Sequence, residues 1–215
     1  MSDSQLVRAS SVMAVGTIAS RVTGLIRNLL VVALLGTALL GDTYNVANTM
    51  PNILYNLLVG GALTAVFVPQ IVRSLRDSDG GNAFISRLFT LTITFLFLLT
   101  VLGIVFAPQI VNIYAPDYAG RTEFDITVSL MRYCLPQIFF LGLFALLGQI
   151  ANAKGKFGPM MWAPVINNLI TIALFGFLLS NNQNLSVNNI SDDQLLWLGL
   201  GTTAGYLAQA VILFP

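Results

Sequence analysis

The chain of 215 residues is 56% hydrophobic and only 9% charged, with a mean hydropathy of +0.80. A soluble domain carries about 25% charged residues, because a polar surface must cover its core. This composition excludes an ordinary water-soluble protein and is typical of a chain that lies in lipid. The formal net charge of +1 gives no reason to expect a nucleic-acid partner.

Histidine is absent from the sequence, and Cys134 is its single cysteine. These counts exclude an internal disulfide, imidazole metal sites, triads built on histidine and thiolate zinc sites. Cys134 lies in an apolar segment, where a small buried hydrophobe is the ordinary role of a cysteine. We expect no metal, no cofactor and no enzymatic activity, because the apolar segments offer no nucleophile with its base.

Six apolar stretches follow one another along the chain. Each is long enough to cross a hydrocarbon core of about 30 Å, which takes about 20 helical residues, whereas barrel strands would alternate with period two over about ten residues. The sequence predicts an all-α, polytopic membrane helix bundle, a single membrane domain over residues 1–215. The six predicted transmembrane helices are residues 12–35, 44–72, 84–113, 126–151, 160–179 and 195–214.

The two ends of the sequence carry further expectations. A cleaved secretory signal has an apolar region of only about 7 to 15 residues without internal arginines, so we expect the first stretch to be an uncleaved helix. The sequence stops at Pro215, directly after the sixth stretch. We therefore expect the chain to be a fragment of a longer protein.

Cations in and beside the connecting segments are concentrated on one side of the predicted bundle. Short cytoplasmic segments of membrane proteins collect lysine and arginine. The segments on the N-terminal side, counted up to the first turn of the third stretch, hold six cations against one, Arg121, on the other side, so we expect both termini of the chain to be cytoplasmic. The six are Arg8, Arg73, Arg76, Arg87, Lys154 and Lys156.

Four asparagines mark one side of the second stretch: Asn45, Asn48, Asn52 and Asn56, with Tyr55 beside the last. Their spacings of three, four and four place them along one face of a helix. Such a polar stripe must face a neighbouring helix or a water-filled cavity. Hydrogen bonds between helices are one explanation, and four amides in twelve residues also favour a cavity.

The same stretch contains residues that bend or cap helices. Pro51 removes a backbone hydrogen bond, and Gly60 and Gly61 loosen a helix, which makes these three candidate hinge residues. Asp42 precedes the stretch, where a carboxylate either caps the helix or acts as a gate that pairs with an arginine.

Arg21 and Arg27 lie inside the first apolar stretch. Each arginine near a helix centre costs about 2.5 to 3.5 kcal/mol on insertion scales, and about 9 Å of helix separates the two, so both cannot reach the same interface. None of the six stretches contains an acid. Arg21 shares a face with Asn28, while Arg27 is turned about 120° away. This surplus of positive charge predicts an anionic ligand, such as a phosphate or pyrophosphate.

Three segments carry a resemblance to a known family. SRVTGLIRNLLVVALLG, followed by GD and ANTMPNILYNLLVGGALTAVFVPQ, and the later NAKGKFGPMMWAPVINN resemble the MurJ/MviN family, the proposed flippases for lipid II, the undecaprenyl-pyrophosphate-linked precursor of bacterial peptidoglycan. The resemblance implies a MOP-superfamily fold of two helical lobes around a central cavity. This chain would supply a MATE-like N-terminal lobe, with the C-terminal lobe missing.

The resemblance also implies roles for individual residues. Arg21 and Arg27 match the two first-helix arginines that face the family's cationic cavity, and Asp42 matches the acid near its outer gate. Pro51 and Asn52 match the Pro-Asn of the family's second helix.

Four positions depart from the family pattern. Better-known proteobacterial members have arginines at the positions of Tyr55 and Asn56, an acid at Gly60 and an aspartate at Asn28. The departures leave the local net charge unchanged, and we expect Arg21 and Arg27 to carry more of the binding here. The predicted substrate-binding residues are Arg21, Arg27, Asn28, Asn52, Tyr55 and Asn56, with Asp42 as the gate and Pro51, Gly60 and Gly61 as hinges.

The function implied by the resemblance is transport of lipid II across the bacterial inner membrane by alternating access, with pyrophosphate held by cavity arginines. The expected partners are lipid II, membrane lipids and the missing C-terminal lobe. Two alternatives stay open: a superfamily exporter of another polyprenyl-linked glycan or a drug, and a non-transporting membrane scaffold for cell-wall synthesis.

Overall fold

A computed structural model describes residues 3–36, 39–60, 68–153, 155, 158–181 and 185–214. All regular structure in these ranges is helical, which confirms the predicted all-α class. The α-helices are α1 (Asp3–Leu35), α2 (Leu39–Tyr55), α3 (Val68–Ser74), α4 (Asn82–Val105), α5 (Ala107–Tyr114), α6 (Thr122–Cys134), α7 (Gln137–Ala153), α8 (Gly158–Asn181) and α9 (Asp192–Val211). A π-helical segment (Asn56–Gly60) extends α2, and a 3₁₀ turn (Pro116–Tyr118) follows α5.

Three of the predicted stretches contain more than one of these helices. The second contains α2 and α3, with residues 61–67 between them outside the described ranges. The third is interrupted at Phe106 between α4 and α5, and the fourth is interrupted between α6 and α7. Prolines explain the last two breaks, because Pro108 stands in the first turn of α5 and Pro136 directly precedes α7. Proline has no backbone N–H to donate and disfavours the helical conformation of the residue before it.

Four helical segments in the described part of the chain are long and apolar enough to cross a membrane. They are Ser11–Leu35, Asn82–Val105, Thr122–Ala153 and Gly158–Asn181. These segments correspond to the first, third, fourth and fifth predicted stretches.

The helices pack in a bundle in which α8 and α9 are central. α1 packs on α8, α8 on α9, and α9 also contacts α6 and α7, while α2 lies against α6 and α7. The main core is made by fully buried side chains such as Leu130, Leu198 and Phe175. The ring of Phe175 meets that of Tyr44 edge to face, with centroids 5.8 Å apart. The core therefore joins α2 to the α8–α9 pair.

Helix α1 is attached to the bundle along one side. Asn168 of α8 donates to the Ser20 carbonyl oxygen and to the Thr23 hydroxyl, both over 3.0 Å. Most large apolar side chains on the rest of α1, including Ile18 and Leu25, are exposed. Apolar side chains facing outwards are typical of a surface in contact with lipid.

Glycine permits the closest approach between α6 and α9. A Cβ atom built at Gly199 of α9 would overlap the Cβ atom of Tyr133 on α6. Because the Cβ of Tyr133 is fixed to its backbone, only a shift of the whole helix could make room. Small residues at such contacts let membrane helices pack closely.

We expect Gly199→Ala to destabilise the protein by about 1–3 kcal/mol, the usual cost of overpacking a tight contact. The measurement is the apparent melting temperature of the detergent-purified chain. Gly176→Ala is the matched control, because Gly176 is also within a helix and its added Cβ meets nothing within 4 Å. Equal melting temperatures for the two variants would contradict a close α6–α9 contact.

Candidate functional site

The turn after α1 brings α2 back alongside it. Gly36 ends α1 with a φ of +74°, and its backbone N–H donates to the Val32 carbonyl oxygen over 2.9 Å. A left-handed glycine at this position is a common helix C-terminus. Gly41 lies so close to the Gly36 carbonyl oxygen that a Cβ there would collide with backbone. The C-terminal half of α1 and the N-terminal half of α2 thereby face a common space.

This space is an open cavity of about 540 Å³ lined by residues of α1, α2, α8 and α9. Its wall is rich in amides and hydroxyls, although the surrounding helices are largely apolar. The lining residues are Arg27, Asn28, Val31, Val32, Gly36, Gly41, Asp42, Tyr44, Asn45, Asn48, Thr49, Asn52, Asn167, Thr171, Thr202 and Tyr206. A cavity of this size can accept a small polar ligand or part of a larger one.

Arg27 is the cation of this wall and is half-buried. One of its terminal nitrogens, Nη2, donates to Asn28 Oδ1 over 3.3 Å, and the Tyr206 hydroxyl lies beside the guanidinium. By helical rise, Arg27 is about 12 Å from the C-terminal end of α1 and Asn48 about 13 Å from the N-terminal end of α2, so the two are nearly level. Arg27 therefore lies at the level of the middle of the asparagine stripe, far from the α1–α2 turn.

Asp42 is exposed and lines the same cavity, about 9 Å of helical rise from Asn48 towards the α1–α2 turn. It also lies near the 3₁₀ turn, where Tyr118 is partly buried. Burial raises the pKa of Tyr118, and the neighbouring carboxylates of Asp42 and Glu123 raise it further. Among the described lining residues there is thus one cation and one acid, so the net formal charge of the wall is zero.

The asparagine stripe on α2 has both of the roles that the sequence left open. Asn45, Asn48 and Asn52 line the cavity, while Asn48 Oδ1 also accepts a bond of 3.1 Å from the buried Gln137 of α7. Asn56 instead donates to the Asn52 carbonyl oxygen over 2.9 Å. Asn56 marks the start of the π-helical segment, where the ordinary hydrogen-bond ladder of α2 is interrupted.

The predicted site residues fall into two groups. Arg27, Asn28, Asn52 and Asp42 line one cavity. Within the described ranges, three others lie outside this lining: Arg21, which is exposed, Tyr55, which is half-buried, and Asn56, which is exposed.

Two of the three candidate hinge residues lie in α2 and the π-helical segment that extends it. Pro51 is buried within α2, and Gly60 is the last residue of the π-helical segment. Gly61 lies outside the described residues.

Four polar lining residues on α8 and α9 were not predicted from the sequence. They are Asn167, Thr171, Thr202 and Tyr206. The side chain of Asn167 donates to Gln209 over 2.8 Å, and this bond joins α8 to α9. The backbone carbonyl oxygen of Asn167 accepts a bond of 2.9 Å from the Thr171 hydroxyl within α8. Asn167 and Thr171 are four residues apart on α8, and so are Thr202 and Tyr206 on α9. Polar residues at this spacing lie on one face of a helix, and that was the signal available in the sequence.

The cavity wall combines a guanidinium, a carboxylate and many neutral hydrogen-bonding groups. Among the described residues, no group of three or more His, Cys, Asp or Glu side chains could hold a metal ion. The chemistry of this wall is that of binding a polar ligand through charge and hydrogen bonds.

Comparison with known proteins gives a consistent result. A family model described as "Lipid II flippase MurJ" matches residues 31–215. A probable lipid II flippase MurJ from Rickettsia prowazekii (strain Madrid E) is 32% identical over 190 residues, which are 86% of this chain and 38% of the relative. One from Buchnera aphidicola subsp. Baizongia pistaciae (strain Bp) is 30% identical over 202 residues, covering 93% of this chain and 38% of the relative.

A solved structure of lipid II flippase MurJ in an inward closed conformation has a similar fold. The TM-score is 0.70 at 22% sequence identity, and the match covers 94% of this chain and 40% of that structure. The chain thus spans about 38% of the length of the two curated relatives.

We expect the cavity to be accessible to water. Asn45→Cys should react with a water-soluble maleimide at least about tenfold faster than Ala47→Cys, because a thiol must be solvated to react as its thiolate. Asn45 is exposed in the cavity, whereas Ala47, on the same helix, is 0% exposed. The rates are measured on the detergent-purified chain.

The unmodified chain is the background control for this labelling, because its own Cys134 is 0% exposed. If Asn45→Cys reacts as slowly as Ala47→Cys, the space is closed to water.

Proposed function

The chain belongs to the MurJ family of lipid II flippases, and from this membership we propose that it forms the N-terminal lobe of a lipid II transporter in the bacterial inner membrane. A multi-pass membrane location is supported by the four helices long and apolar enough to span a bilayer, counted in the described part of the chain. We infer that the second and sixth apolar stretches also cross the membrane, giving the MATE-like lobe of six helices and single domain expected from the sequence. Coverage of about 38% of the relatives' length leaves room for a C-terminal lobe.

The observation that carries the proposal is the position of Arg27. Its guanidinium lines a polar cavity in a largely apolar bundle, and its polar neighbours in the described part of the chain, the Asn28 side chain and the Tyr206 hydroxyl, are neutral groups. A guanidinium is well suited to phosphate, because its planar donors match two phosphate oxygens at once. The pyrophosphate of lipid II is an anion of this kind, and we assign Arg27 as its main contact.

The other predicted site residues would act as the ligand enters. Arg21 lies about 9 Å from Arg27 towards the N-terminal end of α1, and Asn56 about 6 Å beyond Asn52 towards the C-terminal end of α2. Because α1 and α2 run in opposite directions, Arg21, Tyr55 and Asn56 are displaced from the cavity towards the same side. With the N-terminus cytoplasmic, that side is the inner one, from which lipid II must come.

The exit lies on the opposite side, where Asp42 is placed near the α1–α2 turn. A carboxylate there repels a pyrophosphate held at Arg27 and favours its departure once the outer side opens. Alternating access requires helices that bend, and Pro51, Gly60 and Gly61 are the proposed hinges. Support for this comes from the interrupted geometry of α2, which changes from an α-helix to a π-helix at Asn56.

We expect Arg27→Ala to lower the affinity for lipid II by roughly tenfold to a hundredfold, the range for loss of a hydrogen bond to a charged group. The measurement is equilibrium binding of labelled lipid II to the chain in lipid nanodiscs. Arg87→Ala is the matched control, because it removes the same charge from an exposed position outside the cavity lining.

Wild-type affinity in Arg27→Ala would refute Arg27 as the main contact. A competing lipid-linked oligosaccharide unrelated to peptidoglycan separates lipid II from other polyprenyl-linked ligands: it should compete weakly.

We expect both termini of the chain to be cytoplasmic. In intact spheroplasts, a membrane-impermeant maleimide should label Asn188→Cys, in the connection between α8 and α9, but not Ser78→Cys, in the connection between α3 and α4. Both positions are exposed in the structure. After the membrane is permeabilised, both should be labelled. The reverse pattern in intact cells would invert the orientation and place Arg21 on the outer side of the cavity.

A further inference from the structure

The amides of the cavity wall share an orientation that their sequence positions do not reveal. In each of four lining asparagines, a donor from the protein occupies the side-chain oxygen. Arg27 donates to Asn28 and Thr49 to Asn45 over 3.2 Å, Gln137 donates to Asn48 over 3.1 Å, and Asn56 donates to Asn52. These bonds use one of the two lone pairs of each amide oxygen, and in the described part of the chain both N–H donors of each amide stay available to a ligand in the cavity that these residues line.

Chemistry fixes two of these orientations. A guanidinium can only donate, so the atom of Asn28 that faces Arg27 must be the oxygen. Asn56 bonds the backbone carbonyl oxygen of Asn52, which can only accept, so its side-chain NH₂ group must point there. The same nitrogen then meets the Asn52 side chain, whose facing atom must again be the oxygen.

Asn167 shows the contrast with an amide used for structure. Its NH₂ group donates to Gln209 and its oxygen lies 3.4 Å from the Thr171 hydroxyl. Both ends of that amide are thus occupied within the protein. For Asn28, Asn45, Asn48 and Asn52, the described part of the chain gives hydrogen bonds only to the oxygen end.

The orientation of the amides indicates whether the ligand is an anion or a cation, whereas the formal charges of the wall do not. Arg27 and Asp42 balance each other in the wall, but each of the four amides offers two N–H donors against one remaining lone pair on its oxygen. A cation needs oxygen acceptors, whereas phosphoryl oxygens accept several N–H donors at once. A wall of neutral donors beside one guanidinium is complementary to an anion rich in oxygen.

We propose that Asn45, Asn48 and Asn52, together with Asn28, form an uncharged binding wall for the phosphoryl oxygens of a diphosphate ligand held at Arg27. This inference rests on the proposed function and extends it to residues that bind without charge. Asn48 is nearly level with Arg27, and Asn45 and Asn52 lie about one turn to either side of it. The wall therefore follows the direction in which the diphosphate moves.

The test compares probes that share a tail and differ in the headgroup. Farnesyl pyrophosphate and farnesol are bound to the chain in lipid nanodiscs, with inorganic pyrophosphate as a competitor that separates a free diphosphate from a lipid-linked one. We expect Asn45→Leu and Asn52→Leu each to weaken farnesyl pyrophosphate binding roughly tenfold and to leave farnesol binding unchanged. Asn188→Leu, outside the cavity, is the matched control.

The salt dependence of the affinity distinguishes binding by the asparagine wall from binding by Arg27. Binding through a charge weakens as ionic strength rises, because mobile ions screen it. The asparagine variants keep every charge, so their affinity should fall with salt as steeply as that of the wild type. Arg27→Ala should show a flatter salt dependence. A merely structural role for the amides would lower the affinity for farnesol as well and reduce the melting temperature.

Two variants keep the test decisive if one of them fails to fold. Asn52→Leu leaves the bond from Asn56 to the Asn52 backbone intact, and Asn45 is exposed. If the wild type binds lipid II but both folded variants bind farnesyl pyrophosphate as well as it does, the binding wall is refuted and the proposed function stands. If the wild type does not bind lipid II, the proposed function and the inference both fall.

Discussion

The burial of one guanidinium is the constraint on which this bundle depends. An arginine near the centre of a membrane helix costs about 2.5 to 3.5 kcal/mol unless polar groups replace its water. Arg27 meets that condition because α2, α8 and α9 all turn polar side chains towards one cavity. The bonds from Asn168 to α1 and from Asn167 to α9 hold these helices in place around it. These two asparagines thus connect the helices whose side chains surround Arg27.

The helices could largely be predicted from sequence, because the length of an apolar run is a local property. The interruptions at Phe106 and before Gln137 were missed, although Pro108 and Pro136 were visible, because a proline in a membrane helix can also be accommodated as a kink. The π-helical segment could not be predicted. It depends on a shift of the hydrogen-bond ladder that Asn56 supports through the Asn52 carbonyl oxygen, and that contact exists only in the folded helix.

The site was predictable where one helix carries the whole pattern. Arg27, Asn52 and the spacing of the α2 asparagines could be found by counting along a helix. The contributions of α8 and α9 could not be found in this way. A pair such as Thr202 and Tyr206 on one helix face can equally line a cavity or form hydrogen bonds within the bundle. Helical phase separated Arg21 from Arg27, but which of the two faces a cavity depends on the neighbours of α1. The sequence offered Asp42 as a partner of an arginine, but that Arg27 and Asp42 line the same cavity follows only from the placement of the two helices.

A charge and a neutral donor act on an anion over different distances. The field of Arg27 reaches as far as screening allows, about 8 to 10 Å in physiological salt, whereas an amide acts only at hydrogen-bond distance, about 2.7 to 3.2 Å. A guanidinium can therefore draw an anion into the cavity, and the amides can hold it only while it is there. Asp42 opposes the field of Arg27 near the α1–α2 turn, so the attraction weakens towards that end. A carrier must bind its ligand firmly enough to collect it and loosely enough to release it. In the proposed function, one arginine supported by uncharged donors meets both requirements, because the departing anion is separated from a single positive charge and not from several at once.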